Sequence, residues 1–312
     1  MKDMLPEHAL LKDENTSSSI TAVILTLNEE LHLARCLDSA REVASRIVVI
    51  DSFSSDRTVD IARDFGAEVH ERAFLNQAEQ LQWALDACDL GTGWILRLDA
   101  DEYLEPALVH EIRDRLSSLP DTITGVYLKR KLIFRDRWIR FGGYYPTRLL
   151  RLWRVGNAKV PPTWMDEHTI LKEGHSATFT HDFCDHSLKD ITHWTEKHNR
   201  YATRKMVDFI AREYQLLDQN TTTSALTWQR AFRNAVFRRT PLFLRSLLYF
   251  LYRYMIRLGF LDGGNGLLWH GLQGFWYHLL TDAKIAEART HIRKHGIDSF
   301  KAHLKQRHGI AL

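Results

Sequence analysis

Residues 20–27 read ITAVILTL, residues 46–51 RIVVID and residues 94–101 WILRLDAD. Each is a short apolar run rich in branched side chains that ends abruptly in polar or acidic residues. Such runs read as strands buried on both faces. Helical spacing fills the gaps between them. Leu33, Cys36, Leu37 and Ala40 recur at i, i+3, i+4 and i+7, and Val59, Ala62 and Phe65 share a face ahead of Gly66. Ala67 to Arg72 reads as a third, shorter strand. Gln77 to Cys88 reads as a helix with Ala78, Leu81, Leu85 and Cys88 inward. A βαβαβαβ order predicts a parallel sheet covered by helices on both faces. In such sheets ligands bind beyond the carboxyl ends of the strands. Thr26 and Asn28, then Asp51, then Asp99 and Asp101 fall at those ends, so three strands deliver hydroxyls and acids to one edge.

The 312 residues are 45% hydrophobic and 26% charged, with a formal net charge of +3. That balance is ordinary for a globular chain and too small to indicate nucleic acid. Three cysteines (Cys36, Cys88 and Cys184) without a Cys-x-x-Cys pair argue against a disulfide framework or a structural zinc. Residues 1–19 are polar and lack the apolar core of a signal peptide, so they read as a flexible leader. The most apolar stretch, Pro241 to Leu261, carries Arg245, Arg253 and Arg257. Each is costly at a bilayer centre, roughly 2.5–3.5 kcal/mol, so a spanning helix is not expected. A cytoplasmic chain is.

Asp99-Ala100-Asp101 is the only Asp-x-Asp pair in the chain. Two carboxylates two residues apart at a strand end reach toward one ligand. Hard divalent cations are held by oxygen donors and shared with substrate phosphates. The competing reading is an acidic loop opening the next helix. Asp51 suits a ribose hydroxyl or a base N–H, whereas Asp56 and Thr58 read as helix caps. Thr26 and Asn28 suit the nucleotide base, with a simple capping role open for Asn28. No glycine-rich phosphate loop follows the first strand, which argues against dinucleotide and P-loop enzymes. It also argues against a nucleotidyltransferase.

ILTLNEE (24–30), VVIDSFSSDRT (48–58) and WILRLDADE (94–102) together resemble the successive nucleotide-sugar motifs of family 2 glycosyltransferases. The resemblance covers about the first 190 residues. It implies an α/β, GT-A (nucleotide-diphospho-sugar transferase) fold, with a mostly parallel central sheet flanked by helices and a helical C-terminal extension. It places a catalytic domain at 20–190 and a helical, basic and aromatic region at 191–312. It further implies transfer with inversion, a nucleoside pocket lined by Thr26, Asn28, Glu29 and Asp51, and a Mn²⁺ or Mg²⁺ ion. Asp99 and Ala100 would lie against the nucleotide sugar, and Asp101 and Asp99 would bind the metal. His181 and His186 follow at a distance where a third metal ligand sits in some GT-A enzymes, and His186 is the candidate.

GYYPTRLLRLWR (143–154), WTEKHNRYA (194–202) and FLDGGNGLLWHGLQGFWYHLLTDAKIAE (260–287) resemble a bacterial branch that builds lipopolysaccharide core or exopolysaccharide. In that branch a basic residue and Asn often precede Trp-Ala-Leu of the third helix. Leu81 and Gln82 stand there, which puts a donor contact from this helix in doubt. Inversion needs a general base for the acceptor hydroxyl. Asp166-Glu167-His168 supplies Glu167, with Asp166 second; an exposed acidic turn is the competing reading. Arg148, Arg151 and Arg154 suit a diphosphate or an acceptor phosphate, or else the charged face of an edge strand. From Trp228 to Leu280 arginines alternate with aromatic and apolar residues, a pattern suited to an anionic membrane surface or to snorkelling over the catalytic domain. The expected activity is transfer from a nucleotide-diphosphate sugar, with UDP favoured, to a glycan or a lipid-linked acceptor. The rivals are transfer to polyprenyl phosphate, which needs no strong base, and a non-catalytic scaffold that binds donor without turnover.

Overall fold

The computed structural model describes residues 19–91, 93–161, 168–216, 240–310 and 312. Four strands, β1 (Ile20–Thr26), β2 (Arg46–Asp51), β3 (Glu68–Glu71) and β4 (Trp94–Asp99), run parallel in the order β3-β2-β1-β4. Helices α1 (Leu33–Ala40), α2 (Thr58–Asp64) and α3 (Gln77–Ala87) connect them. The stripe read from the sequence of α1 is the buried one: Leu33, Cys36, Leu37 and Ala40. On α3 the buried apolar residues are Ala78, Leu81 and Ala84, and Leu85 and Cys88 pack only partly inward. β1 and β4 read as continuous apolar runs because both of their faces are covered, by separate apolar clusters that draw on alternate residues.

Beyond β4 the sheet changes direction. After β5 (Glu102–Leu104) and α4 (Pro106–Arg115), the strands β6 (Ile123–Phe134), β7 (Arg137–Trp138) and β8 (Thr147–Arg154) follow. β9 (Ala158–Lys159) and β10 (Ile170–Leu171) form a separate small ladder, and β11 (His175–His186) completes the main sheet. β8 pairs antiparallel with β4 on one side and with β6 on the other. It is therefore an interior strand, which corrects the edge-strand alternative for Arg148, Arg151 and Arg154. β11 runs parallel to β6 and antiparallel to β5.

Among the described residues the chain from Ile191 is helical: α5 (Ile191–Glu213), α6 (Leu244–Leu251), α7 (Gly263–Trp269), α8 (Tyr277–His295) and α9 (Ile297–His308). Helices α5, α8 and α9 share an apolar core that includes Val207, Ile210, Ile285 and Leu304. Trp269 packs with Leu132, Phe134 and Ile139 and so fastens this layer to β6. Gly142, at φ +69°, sits where a Cβ would stand 2.0 Å from Cε1 of the buried His270. Only glycine brings these two layers so close. Residues 1–18 of the expected leader lie outside the described residues.

Candidate active site

Parallel register sets the site. Thr26 on β1 stands opposite Asp51 on β2, and Leu25 stands opposite Asp99 on β4. All three strands therefore stop at one level, and the polar residues just past their ends share one edge.

Asp51 is fully buried, and its carboxylate accepts three hydrogen bonds. It accepts from Thr26 Oγ1 at 2.8 Å, Ser54 N at 2.7 Å and Ser54 Oγ at 2.6 Å. Asn28 takes a left-handed backbone, φ +54°, and does not cap α1, which begins at Leu33. Its side-chain oxygen accepts from Ser55 N at 2.8 Å, and its own N–H donates to Ser54 Oγ at 2.8 Å. Thr26, Asn28 and Asp51 thus knit the loops after β1 and β2 into one floor. Neither Asp56 nor Thr58 is the N-cap of α2, which is Arg57 without a side-chain cap bond; Asp56, one residue earlier, accepts from Thr58 N at 3.0 Å at the first residue of the helix. Glu29 N donates to Thr58 Oγ1 at 2.7 Å. The Glu29 carboxylate meets Lys189 Nζ at 2.9 Å and His32 Nδ1 at 2.5 Å. Burial works to raise its pKa, but His32 and Lys189 hold it below the ordinary value.

Asp99 lies over a buried charge network. Its carboxylate stands 3.2 Å from Arg97 Nη2 and 3.4 Å from Arg151 Nη2, and its N–H donates to Glu102 Oε2 at 3.0 Å. Glu102 also pairs with Arg151, and Arg97, Arg151 and Glu102 are each at least 95% buried. Burial opposes ionisation of Asp99, yet the two guanidiniums hold it well below the usual carboxylate range. Burial, reinforced by Asp99 and Asp185, works to raise the Glu102 pKa, and its Arg151 partner opposes this. Asp101 is different. Its carboxylate is partly exposed, and the nearest cation is Lys197 Nζ at 3.8 Å, from α5. Neighbouring Tyr201, with Asp101, Glu29 and Asp185, holds the Lys197 ammonium well above its ordinary pKa despite burial. Ala100 is buried between the two acids.

These surroundings separate the expected metal ligands. Asp101 presents a carboxylate to the edge and fits a divalent ion completed by donor phosphate oxygens. Asp99 already lies between two guanidiniums. His186 donates its backbone N–H to Asp101 O at 3.0 Å, but its ring faces elsewhere, with Nδ1 3.0 Å from Arg35 Nη1 and Nε2 3.0 Å from Asp136 Oδ1. Among the described residues no three His, Cys, Asp or Glu side chains stand together as a ligand set. His181 lies against Glu111 of α4, with Nδ1 2.8 Å from Oε2. Asp166 and Glu167 lie outside the described residues.

Lys197, Gln80 and Asp185 were not foreseen. Lys197 lies within the WTEKHNRYA segment that the sequence singled out without giving it a role. Gln80, 2% exposed on α3, donates through Nε2 to Ser52 Oγ at 2.7 Å and to Ile50 O at 3.2 Å, bracing the loop after β2. Gln82, at the position where the bacterial branch often has Asn, accepts from Val160 N at 2.8 Å and so faces the backbone. Asp185, held at 3.4 Å from Arg130 Nη1, is pushed up to about 6 by burial and by Asp101 and Asp99 nearby, although Arg130 opposes this.

With this geometry in place, residues 21–174 match the model of "Glycosyl transferase family 2". This part of the chain is a family 2 glycosyltransferase domain, and its fold is the GT-A arrangement. Relatives agree. The lipopolysaccharide core biosynthesis glycosyltransferase LpsC of Rhizobium meliloti is 32% identical over 165 residues, 50% of this chain and 58% of LpsC. An uncharacterised glycosyltransferase of Rickettsia bellii is 37% identical over 99 residues, 32% of this chain and 33% of that protein. The chain thus matches only about a third to three fifths of these relatives' own length. Among solved structures, glucosyl-3-phosphoglycerate synthase from Mycobacterium tuberculosis, in complex with Mn²⁺, UDP and glucosyl-3-phosphoglycerate, is 23% identical over 38% of this chain and 46% of its own, with a TM-score of 0.32. So low a score carries no point about this site.

Proposed function

We propose that the chain is an inverting glycosyltransferase that moves a sugar from a nucleotide-diphosphate donor, a UDP-sugar, to a glycan or lipid-linked acceptor of the bacterial cell surface. The observation that carries this reading is the meeting of Asp51, Asp99 and Asp101 at one sheet edge, where Asp51 is tied to Thr26 and Ser54, Asp99 is held between two guanidiniums, and Asp101 keeps a partly exposed carboxylate whose nearest cation is Lys197 at 3.8 Å. In this reading the floor made by Thr26, Asn28, Glu29 and Asp51 receives the nucleoside. Asp101 holds Mn²⁺ or Mg²⁺ together with the donor diphosphate. The bound ion would offset negative charge on the leaving diphosphate. Asp99, clamped by Arg97 and Arg151, orients the Asp99-Ala100-Asp101 turn. Lys197 supplies a permanent positive charge beside Asp101, where the departing diphosphate gathers charge. Glu167, with Asp166 as the alternative, takes the proton of the acceptor hydroxyl as it attacks the sugar. The relation to LpsC favours lipopolysaccharide core or exopolysaccharide as the product class.

No helix among the described residues is long and apolar enough to cross a membrane. We place the chain at the cytoplasmic face of the inner membrane as a peripheral protein, on the strength of an exposed apolar face described below. The decisive experiment titrates UDP and GDP into the protein by calorimetry, with and without Mn²⁺, and repeats this on Asp101→Ala. Manganese-dependent binding of UDP that disappears in the variant is expected. Failure of both nucleotides to bind under every condition would remove the transferase reading in favour of a different ligand.

A further inference from the structure

β6 and β7 are joined by a two-residue turn, Arg135 and Asp136, both left-handed at φ +50° and +59°. That is the type I′ geometry of a tight hairpin, and it fixes where the flanking side chains emerge. Asp136 reaches back to His186 Nε2 at 3.0 Å, and His186 N–H meets Asp101 O at 3.0 Å. The turn therefore lies one residue removed from the Asp99-Ala100-Asp101 end of β4. Across from it, the loop entering α7 forms the other wall of an open cleft of about 600 Å³, lined by Arg135, Arg137, Leu261, Asp262 and the Gly263-Gly264 pair.

The charge in this cleft is one-sided. Asp262 is its only acid, and both of its oxygens accept backbone N–H groups, from Arg140 at 3.2 Å and Phe141 at 2.9 Å. Burial moves the Asp262 pKa up. Arg135 and Arg137 are exposed, and within the described residues neither guanidinium forms an ion pair. A Cβ built on Gly263 or Gly264 would meet nothing within 4 Å, so these two glycines border open space. Leu261, 52% exposed, continues the wall toward the apolar face of α6.

We propose that this cleft is an acceptor subsite for an oxyanion, a phosphate or carboxylate carried by the acceptor glycan, gripped by Arg135 and Arg137. Paired guanidiniums suit such groups because each presents parallel N–H donors to two oxygens. The inference rests on the transferase reading for the word acceptor, but the anion site itself does not depend on it.

Saturation-transfer NMR of the full chain with methyl glucoside, its 6-phosphate and methyl glucuronide, in the presence of UDP and Mg²⁺, tests this. At least one charged probe should bind about tenfold or more tighter than methyl glucoside, the effect of one charge-assisted hydrogen bond. Which charged probe binds identifies the oxyanion. Arg135→Gln/Arg137→Gln should abolish that preference while its melting temperature stays at the wild-type value. Charged probes that bind no better than methyl glucoside, or a preference that survives in the double variant, overturns the proposal. UDP titrated into both proteins separates the two readings. If UDP binds neither protein while the arginine-dependent preference persists, the donor reading falls and the anion site stands.

Discussion

Arg151 joins Asp99 to Glu102 from β8, and both it and Glu102 are almost completely buried. Burying charges is costly, and only their mutual pairing offsets it. Removing one partner leaves the others uncompensated, so Arg151→Ala should destabilise the fold by about 3–5 kcal/mol. Arg151→Met/Glu102→Leu, which removes both charges and keeps the volume, should recover at least half of that loss. Urea unfolding of the three proteins checks both statements, and a cost of under about 1 kcal/mol for the single variant would mean that the pair is solvated. The same network explains what could be read of the site and what could not. Asp51, Asp99 and Asp101 were identifiable because each ends an apolar run. Arg151 was only one of three arginines on a strand, and its partners come from β4 and β5, about fifty residues away. The sequence pattern of β8 does not tell which of Arg148, Arg151 and Arg154 turns inward. Pairing on both sides of β8 decides it.

At the scale of elements, α4 and β11 show a device with no signal in the sequence. β11 loses register with β6 between Thr178 and Asp182, which leaves the backbone N–H groups of Thr180 and His181 outside that ladder. Glu111 of α4 takes up both, at 2.9–3.0 Å, together with the Thr180 hydroxyl. Burial pushes its pKa up, but these hydrogen bonds outweigh it and hold Glu111 down at about 2. A carboxylate depressed by folding stabilises the protein above its unfolded pKa, near 4.5, and that stability is lost as pH falls from there toward 2. The span of about 2.5 units corresponds to at most about 3 kcal/mol. Glu111→Gln should therefore be destabilised at pH 7 and much closer to wild type at pH 3, with urea midpoints at the two values as the measure. An equal gap at both would show that Glu111 acts by shape alone. The helices and parallel strands were readable because a 3.6-residue period and a continuous apolar run are local properties. The bulge and the turn into antiparallel pairing at β8 depend on partners far along the chain. So does the fastening of the C-terminal helices, where Gly142 admits His270.

Taken as a whole molecule, the chain has two unlike surfaces. Arg245, expected among the membrane-facing cations, is instead buried against Asp282, which also accepts from Ser246 Oγ at 2.9 Å. Arg253 turns inward too, over the Tyr144 ring at 3.6 Å from its centre. Arg230, Arg233, Arg238 and Arg239 lie outside the described residues. What faces solvent is apolar: Leu244, Leu247, Leu248 and Leu251 on α6, then Tyr252, Met255 and Ile256 on the turn that continues it. Leu258, Phe260 and Leu261 extend the patch toward the cleft, and Arg257 is exposed at its border. An apolar patch of this extent on a soluble surface is uncommon, and one with an exposed arginine at its border fits the interface of an anionic bilayer. A surface so placed would present the cleft, and beyond it Asp101, to a lipid-linked acceptor. The full chain should co-sediment with vesicles of phosphatidylethanolamine and phosphatidylglycerol, and less with neutral phosphatidylcholine. Leu247→Gln/Leu251→Gln/Met255→Gln should release it from both, because the inserted side chains supply the attraction common to the two. Manganese-dependent UDP binding should be unchanged in that variant, since none of the three residues approaches the sheet edge. Retained sedimentation would instead assign the attachment to charge alone.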